Sequence, residues 1–333
     1  MKYLIIGAGI AGVTAAETIR AREAHAEIVV IGDEQYFPYN RFLLTDYLCG
    51  KVTDEELFFA PIDFFQQRDI KFRKGEFVKS IQPEAKAVKL FHNEVVEYDK
   101  LLIATGGSPA MGPVLSKFQK FIQRYYSLQD VLVLKKRLAG VETCIVSGQR
   151  LSTLDLMCGM CNLGKKVTYI TKDEKANFPQ IGNQLKEGIH EFLLEKGVDI
   201  VCEDRVISVA KAGNRYRVDT FQRRELTADI VFAWDYYKPA IDIIEGTNIE
   251  KKLGILVDEY LRTSVADIYA AGDCVEVYHP GIKDYWINFG WPNAREQGEI
   301  AGKNMTGQRV EYRVHDTIIF NLLGKSLEAR WWE

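Results

Sequence analysis

Short runs of branched apolar residues recur along this chain, and several are followed by small residues and then by a stretch with helical spacing. Lys2 to Ile6 is the first run, and Val13 to Arg20 is the helical stretch behind it. The pattern returns at Ile28 to Ile31, Leu101 to Ile103, Cys144 to Val146, Val167 to Ile170, Ile230 to Trp234, Gly254 to Val257 and Ile268 to Ala271. Near-continuous apolar runs of this length predict parallel strands buried on both faces. Helical spacing marks Gln129 to Leu138, Leu151 to Leu163, Gln184 to Lys196 and Trp291 to Met305, the last with Pro292 in a favoured first-turn position. Phe72 to Ile81 and Ala87 to Leu90 alternate, which predicts strands of a small antiparallel sheet. Val198 to Cys202, Val206 to Val209 and Tyr216 to Asp219 read as further strands, and Gly107 to Gly112 as a linker. Strands alternating with helices predict an α/β chain, and the fresh strand–helix–strand start at Cys144 predicts a second α/β unit.

The turn between the first run and its helix reads GAGIAG, with Gly7, Gly9 and Gly12 at GxGxxG spacing. Each glycine has a mechanical reason: Gly7 permits the tight turn, Gly9 lets backbone approach a pyrophosphate, and Gly12 lets helix and strand pack closely. The helix N-terminus then offers unpaired N–H groups and a partial positive charge to phosphates. Asp33 and Glu34 follow the next strand at the spacing that suits a carboxylate holding a ribose 2′-OH. Leu101 to Ile103 ends in Ala104, Thr105 and Gly106, small residues that leave room for a ligand beyond a strand's carboxyl end.

Length and composition add boundaries. The 333 residues suit about two domains, and with 43 basic against 46 acidic side chains the net charge is −3, too even for a nucleic-acid stripe. No apolar run is long enough to span a bilayer, and no signal peptide precedes the first strand. Cys49, Cys144, Cys158, Cys161, Cys202 and Cys274 are scattered, which fits reduced thiols and a cytoplasmic location. The pair Cys158 and Cys161 has redox-motif spacing, but its register puts it inside a helix, so the pair reads as structural. The histidines His25, His92, His190, His279 and His315 show no ligand spacing, with His279 placed in a loop, and no metal site is expected.

Taken together, GAGIAG at 7–12, GDEQYFPYNRFLLTDYL at 32–48, YDKLLIATGGSP at 98–109, GILVDEYLRTSVADIYAAGD at 254–273 and WPNAREQGEIAGKNM at 291–305 resemble the flavin-dependent pyridine nucleotide–disulfide oxidoreductases. Within that superfamily the chain is similar to rubredoxin and ferredoxin reductases and to the flavoprotein part of NADH-dependent nitrite reductases. The resemblance implies two Rossmann-like domains of glutathione-reductase type, the second inserted into the first. The expected ranges are 1–110 and 235–308 for an FAD-binding domain, 111–234 for an NAD(P)-binding-like domain, and 309–333 for a shortened C-terminal interface segment. It implies FAD held by Gly7, Gly9, Gly12, Asp33 or Glu34, Arg41, the Val78 backbone, Ala104, Thr105, Gly106, Gly272 and Asp273, with the helix from Trp291 aimed at the flavin. It implies electron transfer to a redox protein or small acceptor, with NAD(P)H as donor, and an alternative role as an FAD-holding subunit of a larger complex or as a homodimer.

Two further departures, besides the shortened C-terminal segment, refine that expectation. Phe42 stands where disulfide-reducing relatives carry a redox cysteine, so no cysteine is expected in the chemistry and bound flavin carries it alone. The second glycine motif falls at 148–155, GQRLSTLD, where Gly148 and Asp155 remain but Arg150 and Thr153 replace glycines. Arg150 would place a side chain where a pyrophosphate needs bare backbone, and Thr153 would push helix from strand, so NAD(P)H is expected to bind weakly if at all. Trp331 and Trp332 near the end of the sequence are expected to pack back or to meet a partner chain.

Overall fold

The first apolar run folds as β1 (Lys2–Ile6), the helical stretch behind it as α1 (Ile10–Arg22), and the next run as β2 (Glu27–Gly32). β1 and β2 are parallel, with Ile6 opposite Ile31, so α1 is the crossover helix between them. Three short helices follow, α2 (Leu44–Leu48), α3 (Asp54–Leu57) and α4 (Ile62–Gln67). β3 (Lys71–Lys74) then pairs parallel with β2. β4 (Val78–Gln82), β5 (Ala87–Leu90) and β6 (Val95–Glu97) form an antiparallel meander, and β7 (Lys100–Ile103) pairs parallel with β1. The single antiparallel sheet predicted from Phe72 to Ile81 is therefore corrected: β3 belongs to the parallel sheet and only β4 opens the meander. Between them Gly75 takes φ +74°, a backbone that side chains disfavour, and the chain changes direction there. The expected linker at Gly107 begins with a strand, β8 (Gly107–Ala110).

The middle of the chain repeats the scheme. α5 (Leu128–Arg137) starts in a capping box, with the Asp130 N–H donating to the Ser127 hydroxyl at 3.2 Å and the Ser127 N–H donating to the Asp130 carboxylate at 2.9 Å. β9 (Thr143–Ser147), α6 (Leu151–Asn162), β10 (Lys166–Ile170), α7 (Lys186–Glu195) and β11 (Asp199–Val201) alternate as predicted. β12 (Val206–Ala212), β13 (Arg215–Thr220) and β14 (Glu225–Ala228) make an antiparallel sheet, and β15 (Ile230–Ala233) completes a parallel sheet in the order β11-β10-β9-β15. The chain returns through β16 (Tyr236–Pro239) to β17 (Ile255–Val257), β18 (Ile268–Ala270), β19 (Val275–His279), β20 (Asp284–Trp286) and α8 (Trp291–Met305). His279, expected in a loop, ends β19 and is buried. A hairpin of β21 (Thr317–Leu322) and β22 (Lys325–Arg330) closes the described chain.

The computed structural model describes residues 1–178, 186–315, 317–322 and 325–330. Trp331 and Trp332, and the first residues of the helix predicted from Gln184, lie outside the described residues. Met1–Asn40, Phe58–Ser108 and Lys238–His315 make one compact unit; Arg41–Leu57, Pro109–Tyr237 and the β21–β22 hairpin make the other. Arg41–Leu57, expected in the flavin-type domain, thus groups with the second unit, and residues 309–315 group with the first.

The first unit is organised on the sheet β18-β7-β1-β2-β3, all parallel. Leu4, Ile5, Val30, Leu101 and Leu102 are wholly buried in it, each worth about 2 kcal/mol in removing apolar surface from water. α1 and α8 pack with almost no side chain between them: a Cβ on Gly298 would lie 2.2 Å from the Ala11 carbonyl oxygen, and one on Gly302 would lie 2.9 Å from that of Ala15. Only glycine allows that approach, and it ties the two helices of the unit together.

Candidate functional site

Four strands of the first sheet end level with one another, since Ile6 is opposite both Ile31 and Ile103, and Ile103 is opposite Ala270. Their carboxyl ends bring Gly7, Asp33, Ala104 and Gly272 together from segments as far apart as residues 7 and 272. In an open parallel sheet this is the edge where ligands bind.

The three motif glycines differ in what a side chain would meet. Gly7 has φ +108°, and a Cβ there would lie 2.1 Å from the Ala104 carbonyl oxygen. A Cβ on Gly12 would lie 2.0 Å from the Gly7 carbonyl oxygen and 3.1 Å from Ile5 Cγ2, so this glycine is what lets α1 start hard against the turn. On Gly9 a Cβ would meet nothing within 4 Å, and its φ of −74° suits any residue. Folding therefore leaves Gly9 unconstrained, and the open space above it is a cradle that a side chain would fill. Gly9 is the N-cap of α1 with no side-chain cap, so the first N–H groups of the helix have no capping oxygen from that residue. These features fit a dinucleotide pyrophosphate.

The neighbouring ends add donors and shape. Asp33 is exposed, whereas Glu34 accepts a hydrogen bond from the Tyr39 hydroxyl at 2.8 Å, which distinguishes two carboxylates that spacing left equivalent. Backbone hydrogen bonds from Gly75 to Glu34 and from Glu76 to Gly32, both 3.0 Å, hold the start of the meander beside this end, and Val78 follows two residues later. Thr105 donates to the Ala240 carbonyl at 2.6 Å, and Gly106 (φ +66°) has open space on its side-chain side. Gly272 has φ +86°, its N–H donates to Gln297 Oε1 at 2.7 Å, and a Cβ there would press on Ala11 at 3.3 Å. Asp273 accepts from the Gly290 N–H at 3.4 Å. Gly290 (φ +118°) is the N-cap of α8, and Trp291 at the helix start packs edge-on to Phe59 with ring centroids 5.1 Å apart. Arg41 is placed in the second unit, where its guanidinium stacks 4.4 Å over the Tyr126 ring and donates to the Tyr126 carbonyl at 3.1 Å.

The second unit has its own strand–turn–helix, and it is built differently. Gly148 follows β9 with φ +152° and matches Gly7 in position. Arg150 is the N-cap of α6 in extended backbone, as Gly9 is of α1. Its guanidinium lies 5.1 Å from the centre of the Tyr237 ring. Thr153 is fully buried and its hydroxyl accepts from the Arg150 N–H at 3.4 Å, while the Thr153 N–H donates to the Arg150 carbonyl at 2.8 Å. The turn thus takes up internally a backbone donor that a phosphate would otherwise use. The Thr153 hydroxyl becomes part of the turn. Trp234, which directly follows β15, lies against this turn: a Cβ on Gly148 would be 2.8 Å from the indole Nε1 and 3.0 Å from Thr153 Oγ1. Trp234 and Gly148 are 86 residues apart and meet only through the pairing of β15 with β9, so local spacing carries no signal of this contact.

Asp155 lies farther along α6 and meets the Thr45 hydroxyl of α2. The protein packed around it pushes its carboxyl up to about 6, with the Thr45 hydroxyl opposing, although solvent reaches part of the side chain. One turn on, a Cβ at Gly159 would lie 2.4 Å from Thr45 Cγ2, so α2 rests closely on α6. Cys158 and Cys161 lie in α6 and are free thiols; burial pushes Cys158 up to about 12 and raises Cys161. Cys49 and Cys144 are raised by burial too, so none of these is a ready thiolate. Phe42 is exposed in a short 3-10 turn. Among the described residues Glu76, His92 and Glu94 cluster closely enough to hold a cation, and Arg73 already supplies one, with Nη1 2.7 Å from Glu94 and Nη2 2.6 Å from Glu76.

Comparison with known proteins agrees with this geometry. The sequence profile of the family described as pyridine nucleotide-disulphide oxidoreductase matches residues 1–298. The NADH-rubredoxin oxidoreductase of Clostridium acetobutylicum is 29% identical over 321 residues, 93% of this chain and 76% of that protein. The NADH-dependent phenylglyoxylate dehydrogenase subunit epsilon of Aromatoleum evansii is 26% identical over 307 residues, 92% of this chain and 72% of that protein. The solved structure of a NAD-dependent persulfide reductase from A. fulgidus superposes with a TM-score of 0.90 at 27% identity, covering 97% of this chain and 62% of that one. The chain belongs to the pyridine nucleotide-disulphide oxidoreductase family and is a flavin-dependent oxidoreductase, with FAD as its cofactor.

Proposed function

We propose that this chain is an electron-transfer reductase that holds FAD in its first unit, serves a redox protein, and grips pyridine nucleotide weakly. The observation that carries the reading is the contrast between the two turns: Gly9 leaves its loop open, whereas in the equivalent loop of the second unit Thr153 accepts the Arg150 N–H and, with Trp234, lies against Gly148. Gly7, Gly9 and Gly12 would cradle the pyrophosphate and Asp33 would hold the adenosine ribose near the Val78 backbone. Ala104, Thr105 and Gly106 would line the dinucleotide, Asp273 would bond the ribityl chain, and the α8 N-terminus at Trp291 would face the ring. The domain ranges that go with this reading are 1–110 with 235–308 for flavin, the Arg41–Leu57 stretch excepted, and 111–234 for the nucleotide-like insertion. Bound FAD supplies one- and two-electron chemistry; the chain supplies position and field. The rubredoxin reductase relative supports a small redox protein as partner. Six free thiols support a reducing, cytoplasmic setting.

Anaerobic titration with NADH, NADPH and dithionite tests the reading. Dithionite should bleach the flavin fully, NADH and NADPH only at millimolar concentration, and oxidised rubredoxin or ferredoxin should restore the colour. Saturable bleaching at micromolar NADH would overturn the weak-grip part, and failure of every redox protein to reoxidise the flavin would overturn the partner. A second reading, an FAD-holding subunit of a larger complex, is supported by the relative that is named a subunit. It calls for co-purification with other chains.

A further inference from the structure

Two turns of the first unit, Gly272-Asp273 after β18 and Phe289-Gly290 before α8, are joined by a run of buried polar side chains. Asn293 Nδ2 donates to the Phe289 carbonyl at 2.8 Å and to Asn288 Oδ1 at 2.7 Å. Asn288 Nδ2 donates to the Tyr312 hydroxyl at 2.9 Å. The Tyr312 hydroxyl lies against the Gln297 carboxamide, whose oxygen accepts from the Gly272 N–H at 2.7 Å. Asn288, Asn293, Gln297 and Tyr312 are 7% exposed or less, so none of these bonds competes with bulk water. The Tyr312 backbone is fixed as well, its N–H donating to the Glu259 carbonyl at 2.7 Å.

Burying polar side chains costs free energy unless each is satisfied; Gln297 Nε2 has no hydrogen-bond partner among the described residues, and the bonds made by the others fix their geometry. Apolar residues could have filled the volume more simply. What the run adds is a chain of contacts between the turn carrying Asp273 and the turn that opens α8. Its centre, Tyr312, comes from beyond α8, in a stretch the sequence assigned to a C-terminal interface.

We propose that Tyr312 is a positioning residue for the flavin: through Asn288, Asn293 and Gln297 it sets the α8 N-terminus and the Gly272-Asp273 turn, and so sets how strongly the protein favours reduced over oxidised FAD. The proposal rests on the reading above that these two turns face FAD. The positive end of a helix stabilises the negative charge gained on reduction, and the effect falls off within one turn, so a small change in aim changes the balance.

The test is the FAD midpoint potential of the purified full chain, measured anaerobically by dye-equilibrated reduction and read with the visible flavin spectrum. Tyr312→Phe removes one hydroxyl and leaves the ring packing. It should still bind FAD, but with its preference for the reduced form down about threefold, a drop of about 15 mV for a two-electron couple, and with a shifted visible band. Asn293→Ala cuts the run at its far end and should lower the potential in the same direction, which keeps the test readable if Tyr312→Phe fails to fold. Tyr269→Phe is the control: it removes another buried hydroxyl of this unit, bonded to the Asn304 carbonyl at 3.4 Å and outside the run, and should leave the potential unchanged. An unchanged potential and spectrum in FAD-loaded Tyr312→Phe would overturn the inference and leave the flavin reading standing, and so would an equal shift in Tyr269→Phe. A wild-type protein that takes up no FAD would overturn both.

Discussion

Gly9 and Gly12 belong to one motif, yet the structure separates what each does, and substitution should separate them as well. Gly9→Val adds its Cβ into open space at φ −74° and loses only the N-cap preference for glycine, so the protein without cofactor should melt within about 3 °C of wild type. The added methyl groups occupy the approach to the α1 amides, so FAD affinity should fall at least a hundredfold. Gly12→Ala is the reverse case. Its Cβ would lie 2.0 Å from the Gly7 carbonyl oxygen, whereas comfortable contact needs roughly 3.5 Å. The start of α1 must therefore move by about 1.5 Å against a fully packed sheet. Overpacking on that scale costs about 1–3 kcal/mol or more, a fall on the order of 5 °C in melting temperature for a chain of this length. The assays are melting of FAD-stripped protein by circular dichroism and FAD binding by flavin fluorescence. A Gly9→Val protein with full flavin absorbance would refute the assignment of the open cradle. A Gly12→Ala protein that melts like wild type would refute the argument from close approach.

Other outcomes follow from the same geometry. Asp273→Ala should weaken FAD retention by about 1–3 kcal/mol, as expected when a buried polar partner is left unsatisfied, measured as the free FAD released on dilution. Asp155 is raised above the ordinary carboxylate range, so it contributes stability in its protonated form, present below about pH 4 and lost as pH rises through about 6. The difference in melting temperature between wild type and Asp155→Asn should therefore change across that window and flatten above it, with small amplitude because solvent reaches the group; no change across pH 4–7 counts against the burial argument. Iodoacetamide at neutral pH should modify Cys144 and Cys158 only slowly in the folded protein and should leave dithionite reduction and reoxidation of the flavin unchanged. Arg150→Gly combined with Thr153→Gly should improve NADH binding if these residues block the second turn. Loss of NADH binding instead would make Arg150 a phosphate ligand.

The parallel sheets were readable because their strands are buried on both faces, which leaves unbroken apolar runs such as Leu4 to Ile6 and Leu101 to Ile103. What escaped reading is mostly short and half-exposed. β20 (Asp284–Trp286) alternates over only three residues, and β6 (Val95–Glu97) is as brief, so neither produces a period that can be counted. The stretch Phe72 to Ile81 alternates in a way that suits either kind of sheet, and the deciding feature is a single glycine, Gly75, in positive φ. The grouping of Arg41–Leu57 with the second unit has no local signal at all. It comes from contacts distant in sequence, among them Arg41 on Tyr126, Thr45 with Tyr125, and Gly159 of α6 admitting Thr45 of α2 across 114 residues.

The same distinction applies to the site. The first glycine turn could be read because its requirements are local: a strand, three glycines at fixed spacing and a helix suffice to say which atoms approach a phosphate. In the second turn spacing identifies the two missing glycines but not the hydrogen bond that Thr153 makes. Besides adding volume, the Thr153 side chain uses its hydroxyl to accept the Arg150 N–H. A polar side chain at such a position can replace a ligand as well as obstruct one, and sequence spacing cannot distinguish the two. Trp234 extends the point. Its indole reaches the Gly148 turn only because β15 lies beside β9 with Ala233 opposite Ser147, so the residue that fills the second turn is supplied by sheet register. If Trp234 obstructs pyridine nucleotide, Trp234→Ala alone should lower the NADH concentration needed to bleach the flavin, with the melting temperature falling through loss of a buried ring. A variant that is destabilised yet unchanged toward NADH would leave Arg150 and Thr153 as the whole obstruction and remove Trp234 from the account.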